Sequence, residues 1–343
     1  MNMPHRPHSS RSQRGMTLLE LMIAMTIGLF LVGGVLVVYT ASSQSYRLSE
    51  ATSRLQESAR FAFEMIASDV RSAGHMGCFK GTPNVVATGF SVNPTPNPVL
   101  ATGFSATMPI TGTEASRPDW VPSTSYIANT DTVTLRKASG SESVRLTYTM
   151  GSKGGNIPIG SNPYSWGISR LLVVSDCIGA DFFLSSAAPS GTPLAIPHAS
   201  TANSSANLSR DYGPDAQVMA YAQNTYYIRT GTAGQPALYK QPWTGNTIGD
   251  AEEVVEGVEN MQIEYGVDTN LDGTVDAYQT ATAVGTNWAN VLSVRISLLM
   301  RTLDDGMVDA PQAYTFSGAT TTPTDRRIRR VFASTIGLRN RLP

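Results

Sequence analysis

The sequence predicts an α+β protein in which one long N-terminal helix is followed by a head built on an antiparallel β-sheet. Residues 21–38 form a run of 18 residues without a charged side chain, and helical periodicity continues beyond it. Segments with the alternating pattern of strands occur only later in the chain. A chain of 343 residues is long enough to bury a substantial core. Its formal net charge of −1 gives no global attraction to nucleic acid or to a membrane surface.

The beginning of the chain predicts a membrane anchor. Arg6, Arg11 and Arg14 lie in residues 1–15, which contain no acidic residue. As a helix, the uncharged run would be about 27 Å long at 1.5 Å per residue, close to the roughly 30 Å of a hydrocarbon core. Basic residues favour the cytoplasmic side, so the remainder of the chain is predicted to cross the membrane. The run is long for a secretory signal, and residues 39–41 form a poor cleavage site.

Glu20 is the one acidic residue at the start of the apolar run. A carboxylate at that depth is costly unless it has a partner. Cleavage after Gly15 would give Met16 a free ammonium group, which could neutralise the Glu20 carboxylate of a neighbouring copy in an apolar environment. The alternatives are a plain signal anchor, which leaves Glu20 unexplained, and a glutamate whose side chain reaches back to the interface.

Residues 41–75 are predicted to continue the helix as an amphipathic segment. Apolar and small side chains recur at steps of three and four residues, and charged side chains occupy the other faces. Gly74 and Gly77 are suitable stops, which gives a helix over residues 16–73 about 87 Å long. Phe61 is interpreted as part of the core, together with Phe63 and Met65. The members of the repeating face are Leu48, Thr52, Leu55, Ala59, Ala62, Ile66, Val70 and Ala73.

Residues 76–343 are predicted to form the β-rich head. Two stretches rich in Pro, Gly, Ser, Thr and Asn, at about 81–130 and 185–215, are interpreted as loop insertions. A helix followed by antiparallel strands corresponds to the α+β class. Strands are predicted at 132–137, 143–150, 171–177, 217–229, 237–241, 261–267, 290–301 and 327–338.

Cys78 and Cys177 are the two cysteines of the chain. They lack the close spacing and the histidine partners of a zinc site. If the head lies outside the cytosol, a single disulfide is expected, and two buried thiols are the alternative.

One acidic loop has the spacing of a calcium site. Asp268, Asn270, Asp272, Thr274 and Asp276 supply oxygens at alternate positions, with a glycine at the sixth position. The twelfth position is Gln279, without the bidentate carboxylate of an EF-hand, and the flanking segments resemble strands. A Ca²⁺ loop at the tip of a hairpin and a simple Asp-Gly turn with solvated carboxylates both remain open.

The segment from Gly15 to Ala24 resembles the type IV prepilin motif. The resemblance implies that prepilin peptidase cleaves after Gly15, that the new N-terminus at Met16 is methylated, and that Glu20 serves in assembly. It also implies residence in the inner membrane, with residues 16–40 as the single membrane-spanning and later filament-core helix and with the head in the periplasm. The mature protein would then enter an extracellular pilus.

Segments of the head resemble the PilW group of minor pilins. They lie at residues 69–74 with Cys78, at 253–261, at 265–268, at 294–299, at 330–332 and at 338–340. The resemblance implies a pilin-like fold and a subunit of the initiation or tip complex, which supports pilus assembly and motility or adhesion. The implied partners are other minor pilins, the major pilin and a large tip adhesin.

Three other functions compete with that of a minor pilin. An anchored enzyme is disfavoured because His75 and His198 have no recognisable nucleophile or metal partner and no catalytic motif occurs. A pseudopilin of a type II secretion system shares the same N-terminal signal. A DNA-binding tip subunit would use the basic C-terminal region, although nucleic acid is not the expected partner. The arginines concerned are Arg326, Arg327, Arg329, Arg330, Arg339 and Arg341.

Overall fold

The computed structural model describes residues 15–86, 104–243 and 248–341. The chain divides into two compact units, and the boundary lies between Ser53 and Arg54. The boundary falls inside the long helix, so the second unit contains the last part of that helix together with the β-rich head.

The helix α1 (Leu18–Ser72) confirms the predicted long N-terminal helix. It continues without interruption through Gly33 and Gly34. The chain leaves the helix at Gly74, whose φ of 74° is one that glycine adopts at little cost. The Gly74 N–H donates to the carbonyl oxygen of Arg136 at 2.8 Å, which joins the end of α1 to the head.

In the described residues, short and long strands follow the helix. In chain order they are β1 (Asn84–Val85), β2 (Ile110–Thr113), β3 (Thr132–Arg145), β4 (Ile157–Pro158), β5 (Leu171–Ser175), β6 (Ala180–Leu184), β7 (Ala195–Ile196), β8 (Gln217–Thr230), β9 (Pro236–Trp243), β10 (Glu252–Glu256), β11 (Val258–Val267), β12 (Ala277–Gln279), β13 (Val291–Arg301), β14 (Tyr314–Phe316), β15 (Ala319–Thr321) and β16 (Arg329–Gly337). A short helix α2 (Ala281–Val284) and a 3₁₀ turn (Asn287–Asn290) lie between β12 and β13.

The larger sheet has the strand order β1-β6-β5-β8-β3-β2. The long strand β8 pairs with β5 along its first part and with β9 along its second part, and β10 pairs with the outer side of β9. All of these pairs are antiparallel except β1 with β6, which is parallel. The head therefore confirms the predicted antiparallel architecture with one parallel exception.

The smaller sheet has the order β12-β11-β13-β16, and all of its pairs are antiparallel. Two small two-stranded sheets, β14 with β15 and β4 with β7, lie outside both larger sheets. The last strand, β16, is thus an edge strand.

One hydrophobic core joins the C-terminal part of α1 to both sheets. It contains Ile66 and Val70 of the helix, Val133 of the larger sheet, and Ile296 and Ile336 of the smaller sheet. From Leu55 onward, the repeating face predicted for the helix is buried. A period of 3.6 residues directs these side chains to one side of the helix, where the sheets cover them.

The two sheets are also joined by polar contacts. The Asp131 carboxylate, before β3, accepts hydrogen bonds from the N–H of Ala115 at 2.9 Å and from the N–H of Ile263 at 2.8 Å. Nearby, the Tyr265 ring of β11 approaches Gly112 of β2 so closely that a Cβ atom at Gly112 would overlap the Tyr265 hydroxyl. Glycine at this position allows the sheets to meet.

Several details differ from the sequence-based expectations. The predicted strand at 143–150 does not exist separately, because β3 runs on to Arg145 through an irregularity between Ser139 and Ser143. Strand β6 was missed, since all five of its residues are buried and it shows no alternation. The interpretation of Phe61 as a core residue is wrong, because its side chain is 48% exposed.

Both predicted loop insertions contain short strands. The first, at 81–130, holds β1 and β2, while residues 87–103 lie outside the described residues. The second, at 185–215, contains β7. Its buried Asn203 side chain connects it to the end of β6. Asn203 accepts a hydrogen bond from the N–H of Leu184 at 2.8 Å and donates to the Leu184 carbonyl oxygen at 2.9 Å.

Candidate processing and assembly site

Glu20 and Thr17 form a reciprocal cap at the start of α1. The Glu20 Oε2 atom accepts hydrogen bonds from the N–H of Thr17 at 3.0 Å and from its hydroxyl at 3.1 Å. The Glu20 N–H donates in return to Thr17 Oγ1 at 3.3 Å. This arrangement is a capping box, in which two otherwise unpaired N–H groups of the first turn are satisfied. Sequence reasoning missed Thr17, although a Thr-x-x-Glu pattern before an apolar run is the signal that could have identified it.

The cap uses one oxygen of the Glu20 carboxylate. Both bonds from Thr17 end on Oε2, and in the described residues no hydrogen bond to Oε1 is found. Gly15 and Met16 precede the helix, Met16 is exposed, and no other atoms crowd Gly15. The predicted leader up to Arg14 lies outside the described residues.

The helix that follows presents an apolar surface. Large hydrophobic side chains from Leu18 to Tyr39 are exposed around the helix. Within the described residues, α1 is the one helix that is long and apolar enough to cross a membrane. Helices that are apolar on all faces occur in lipid or among other helices, where every face is covered.

Asp69 is a charged residue on the buried side of α1. Its carboxylate accepts hydrogen bonds from Lys137 Nζ at 2.8 Å, from Asn224 Nδ2 at 2.7 Å and from the Tyr226 hydroxyl at 2.7 Å. Lys137 Nζ also donates to the Ser72 hydroxyl at 2.9 Å. Asp69 thereby joins the helix to β3 and β8.

The pKa of Asp69 lies below its usual range. Burial alone would raise the pKa of this carboxyl, but the Lys137 ammonium and the hydrogen bonds from Tyr226 and Asn224 outweigh that effect. The pKa of the Tyr226 hydroxyl is raised by burial and by the neighbouring carboxylate. The Asp69 carboxyl is therefore ionised at neutral pH, and the Tyr226 hydroxyl beside it is neutral.

The disulfide between Cys78 and Cys177 is formed, as predicted. It joins the segment after α1 to the turn between β5 and β6, across a sequence separation of 99 residues. Beside it, the Ser175 hydroxyl donates to the Met76 carbonyl oxygen at 2.7 Å. The disulfide and this hydrogen bond fix the chain where it leaves the helix.

In the acidic loop, the carboxylates hold the loop's own backbone. Asp268 is almost fully buried and accepts from the N–H groups of Leu271 at 2.6 Å and Gly273 at 2.8 Å. The Asp276 carboxylate accepts from the N–H of Thr269, and Asp272 accepts from the N–H of Thr274, both at 2.8 Å.

These contacts are those of side-chain-stabilised turns. Asn270 takes part through its amide, which donates to Asp272 at 3.1 Å. Across residues 15–86, 104–243 and 248–341, no group of three or more His, Cys, Asp and Glu side chains is arranged to hold a metal ion. Calcium binding at this loop stays a prediction.

The C-terminal arginines are not equivalent. Arg329 pairs with Glu259 at 2.6 Å and with Asp325 at 2.6 Å, and this partnership raises its pKa. Arg327 lies beside Asp325, and Arg341 donates to backbone carbonyl oxygens. Arg326, Arg330 and Arg339 are exposed. Three of the six arginines in the basic region predicted from the sequence therefore form ion pairs or hydrogen bonds within the chain.

Comparison with known families gives two matches. Residues 225–340 match the family described as PilW, Type IV Pilus-assembly protein W. Residues 10–36 match the Prokaryotic N-terminal methylation motif. No curated protein and no solved structure matches the chain. The first match covers the last six residues of β8 and the strands β9 to β16. The second match covers the predicted cleavage junction, Thr17, Glu20 and most of the apolar run.

Proposed function

We propose that this chain, which matches the prepilin-type minor pilins of the PilW family, acts in the initiation or tip complex of a type IV pilus. Its N-terminal signal and its apolar helix mark it as a pilin that is anchored in the inner membrane and incorporated into the pilus. In the proposed role the chain supports pilus assembly and, through the pilus, twitching motility or adhesion.

The observation that carries the proposal is the state of Glu20 at the start of the exposed apolar helix. Its Oε2 atom closes the cap with Thr17, while Oε1 has no hydrogen-bond partner in the described residues. Cleavage after Gly15 would place an ammonium group on Met16. In a bundle of such helices, the free oxygen of one subunit could receive the new ammonium group of its neighbour, which would remove two unpaired charges from an apolar environment.

The proposed partners follow from the same two regions. Processing requires prepilin peptidase, and the uncharged helix fits among the helices of other pilus components. The head would contact other minor pilins, the major pilin and a large tip adhesin, as the family resemblance implies. A structural role accounts for the site without any catalytic step, and we propose none.

Two substitutions separate the helix cap from the charge pair. Glu20→Gln keeps a capping box, because glutamine can also accept from the N–H of Thr17, but it removes the negative charge. Thr17→Ala removes the side-chain half of the cap, at a cost of about 1 kcal/mol, and keeps the charge. We expect Glu20→Gln to be cleaved and anchored normally but to abolish pilus assembly, while Thr17→Ala assembles. Surface pili are counted by electron microscopy and by the yield of sheared filaments.

The matched control is Glu57→Gln, a substitution of an exposed glutamate farther along the same helix. It should leave piliation unchanged. Normal pili in the Glu20→Gln strain would contradict the charge-pair account, and loss of pili in the Glu57→Gln strain would show that any charge change on the helix is harmful.

A pseudopilin of a secretion system is the remaining structural candidate, because it shares the N-terminal signal. The match of residues 225–340 to a pilus-assembly family favours the pilus. Deletion of the gene distinguishes the two: loss of pili with normal protein secretion supports the proposal, and the reverse result contradicts it.

A further inference from the structure

Strand β16 is an edge strand of the smaller sheet, and β14 lies close to its first part without pairing with it. It pairs with β13 on one side, and no strand of the described residues pairs with its other side. Its register with β13 runs from Arg329 opposite Arg301 to Gly337 opposite Ser293 without a bulge. Natural edge strands often carry a bulge or a proline, and these features prevent a further strand from pairing with them. Strand β16 has neither, so its edge is able to accept a further strand.

The hydrogen bonds at the two ends of β16 show which backbone groups face outward. The N–H of Thr302 donates to the Ile328 carbonyl, and the N–H of Leu338 donates to the Leu292 carbonyl. In an antiparallel pair, hydrogen-bonded positions alternate, so the even-numbered residues of β16 bond to β13. The N–H and C=O groups of Val331, Ala333 and Thr335 therefore point away from the sheet.

Side chains along this edge are compatible with a close neighbour. Val331, Ala333 and Thr335 are exposed, whereas Ile336 is buried in the core. Small and β-branched side chains of this kind suit cross-strand pairs. Within the described residues, no side chain forms a hydrogen bond with the outward-facing N–H or C=O groups of Val331, Ala333 and Thr335.

Exposed arginines lie at both ends of the edge, while Asp305 and Asp325 lie near its first residues. Arg330 lies at one end of the outward-facing positions and Arg339 at the other, and Arg326 lies just before the strand. All three are exposed and have no ion-pair partner among the described residues, whereas Arg327 and Arg329 are paired with Asp325. An approaching strand with carboxylates at both ends would meet this charge favourably.

We propose that the outer edge of β16 is a docking site for an extended, acidic segment of another pilus subunit, which adds to the smaller sheet as a further antiparallel or parallel strand. This inference rests on the proposed function, because a subunit of a multi-pilin complex is what would supply such a segment. Backbone hydrogen bonds at Val331, Ala333 and Thr335 hold the segment, and Arg330 and Arg339 select its charge.

A second copy of this chain fits the edge less well. Antiparallel self-pairing of β16 centred on Ala333 would place Arg339 opposite Arg327, and like charges directly opposite each other are destabilising. Strand β10 is also an edge strand, in the larger sheet, but its glutamates would repel an acidic segment. The short edge strand β12 spans Ala277–Gln279 and offers little backbone.

The test uses the full-length chain in detergent micelles and a fluorescent peptide of about nine residues, the usual upper length of a strand. The peptide alternates threonine and valine and carries two glutamates at each end. Fluorescence anisotropy should show saturable binding that weakens with salt. A peptide with lysine in place of glutamate, and a peptide N-methylated at alternate amides, should each bind about tenfold more weakly or not at all.

Variants of the chain locate the site. Ala333→Pro removes an outward-facing N–H without removing a bond to β13, which edge strands tolerate. It should weaken binding of the acidic peptide about tenfold, as should Arg330→Glu combined with Arg339→Glu. Arg145→Glu, which changes an exposed arginine on β3, is the matched control and should bind normally. Amide hydrogen exchange at Ser334 and Ile336 checks that the Ala333→Pro chain keeps its ladder.

Each other outcome overturns the proposal. Unchanged binding in Ala333→Pro, equal binding of the N-methylated peptide, or no binding at millimolar peptide would show that the edge accepts no acidic strand. Association of the chain with itself that Ala333→Pro abolishes would assign the edge to a second copy. Binding of a single-stranded oligonucleotide that competes with the peptide and survives Ala333→Pro would assign the arginines to phosphate. Cleavage after Gly15, measured in the same preparations, reports on the proposed function separately.

Discussion

At the scale of single residues, α1 carries two carboxylates with opposite surroundings. Glu20 is exposed in the isolated chain and holds the first turn through Thr17. Asp69 is buried and is held by Lys137 and two neutral donors. In the described residues, the first carboxylate uses one oxygen in the cap, whereas the second bonds to side chains of the head with both of its oxygens. We propose that the first serves assembly, while the contacts of the second are those of a folding role.

Replacement of Asp69 by asparagine should destabilise the head. The substitution leaves the Lys137 ammonium, which is 27% exposed, without its partner in a partly buried place. We expect a loss of about 2–3 kcal/mol in the free energy of unfolding, measured by urea denaturation of the full chain in micelles. Asp119→Asn, at an exposed aspartate, should change that free energy by less than about 0.5 kcal/mol.

The same pair predicts a dependence of stability on pH. Because the pKa of Asp69 is lowered in the folded state, its stabilising contribution is fully present above the ordinary carboxyl pKa of about 4. That contribution is lost as the pH falls through the lower folded value. The difference in the free energy of unfolding between the wild-type chain and Asp69→Asn should therefore decrease between about pH 4 and the lower pKa of Asp69 in the folded state. A constant difference throughout that range would show that Asp69 is not ionised in the fold.

At the scale of structural elements, the segment after α1 is fixed by a covalent link. Substitution of both Cys78 and Cys177 by serine removes a constraint on a loop of about 100 residues, for which chain entropy gives about 4–5 kcal/mol. We expect a fall of that order in the free energy of unfolding, measured by denaturant titration. A reductant should lower the stability of the wild type but leave the double variant unchanged. If the reductant has no effect on the wild type, the link contributes nothing.

We predict that the acidic loop between β11 and β12 binds Ca²⁺ weakly. Asp272 and Asp276 already hold backbone N–H groups, so a cation would have to compete with those bonds. We expect a dissociation constant on the order of 0.1–1 mM, the range of extracellular calcium modules, by isothermal titration of the full chain in micelles. Calcium would stiffen the loop and would take no part in a reaction.

Two variants decide whether heat in that titration comes from the loop. Asp268→Asn combined with Asp272→Asn should abolish it, while Asp305→Asn, at an exposed turn elsewhere in the head, should leave it unchanged. If the wild type gives no heat at millimolar calcium, the loop is a turn held by its own carboxylates.

At the scale of the whole molecule, the proposed function requires cleavage after Gly15 before the anchored precursor can assemble. Gly15→Val should block cleavage, because the position before the cut is expected to accept only a small side chain, and the uncut chain should stay in the membrane. Mass spectrometry of the purified wild type should find an N-terminus at Met16 with one added methyl group.

Gly34→Ala is the control for that experiment. It changes another glycine with open space around it, inside the apolar helix, and should be cleaved normally. A wild-type chain that begins at residue 1, or beyond residue 40, would contradict the assignment of the cleavage site.

The sequence by itself determined the features whose causes are contiguous residues. A cleavage junction, an uncharged run and a periodic helix face each depend on neighbours a few positions apart, so the family and the long helix could be predicted. The pairing of Cys78 with Cys177 could also be predicted, because the chain contains two cysteines.

Only the tertiary structure decided the features that join distant segments. The partners of Asp69 lie 68 to 157 residues away in the chain, and no local pattern specifies them. Strand β6 gave no alternation because both of its faces are covered. The open edge of β16 depends on the order of strands in a sheet, which hydrogen bonds between remote segments establish and which the periodicity of a single strand does not encode.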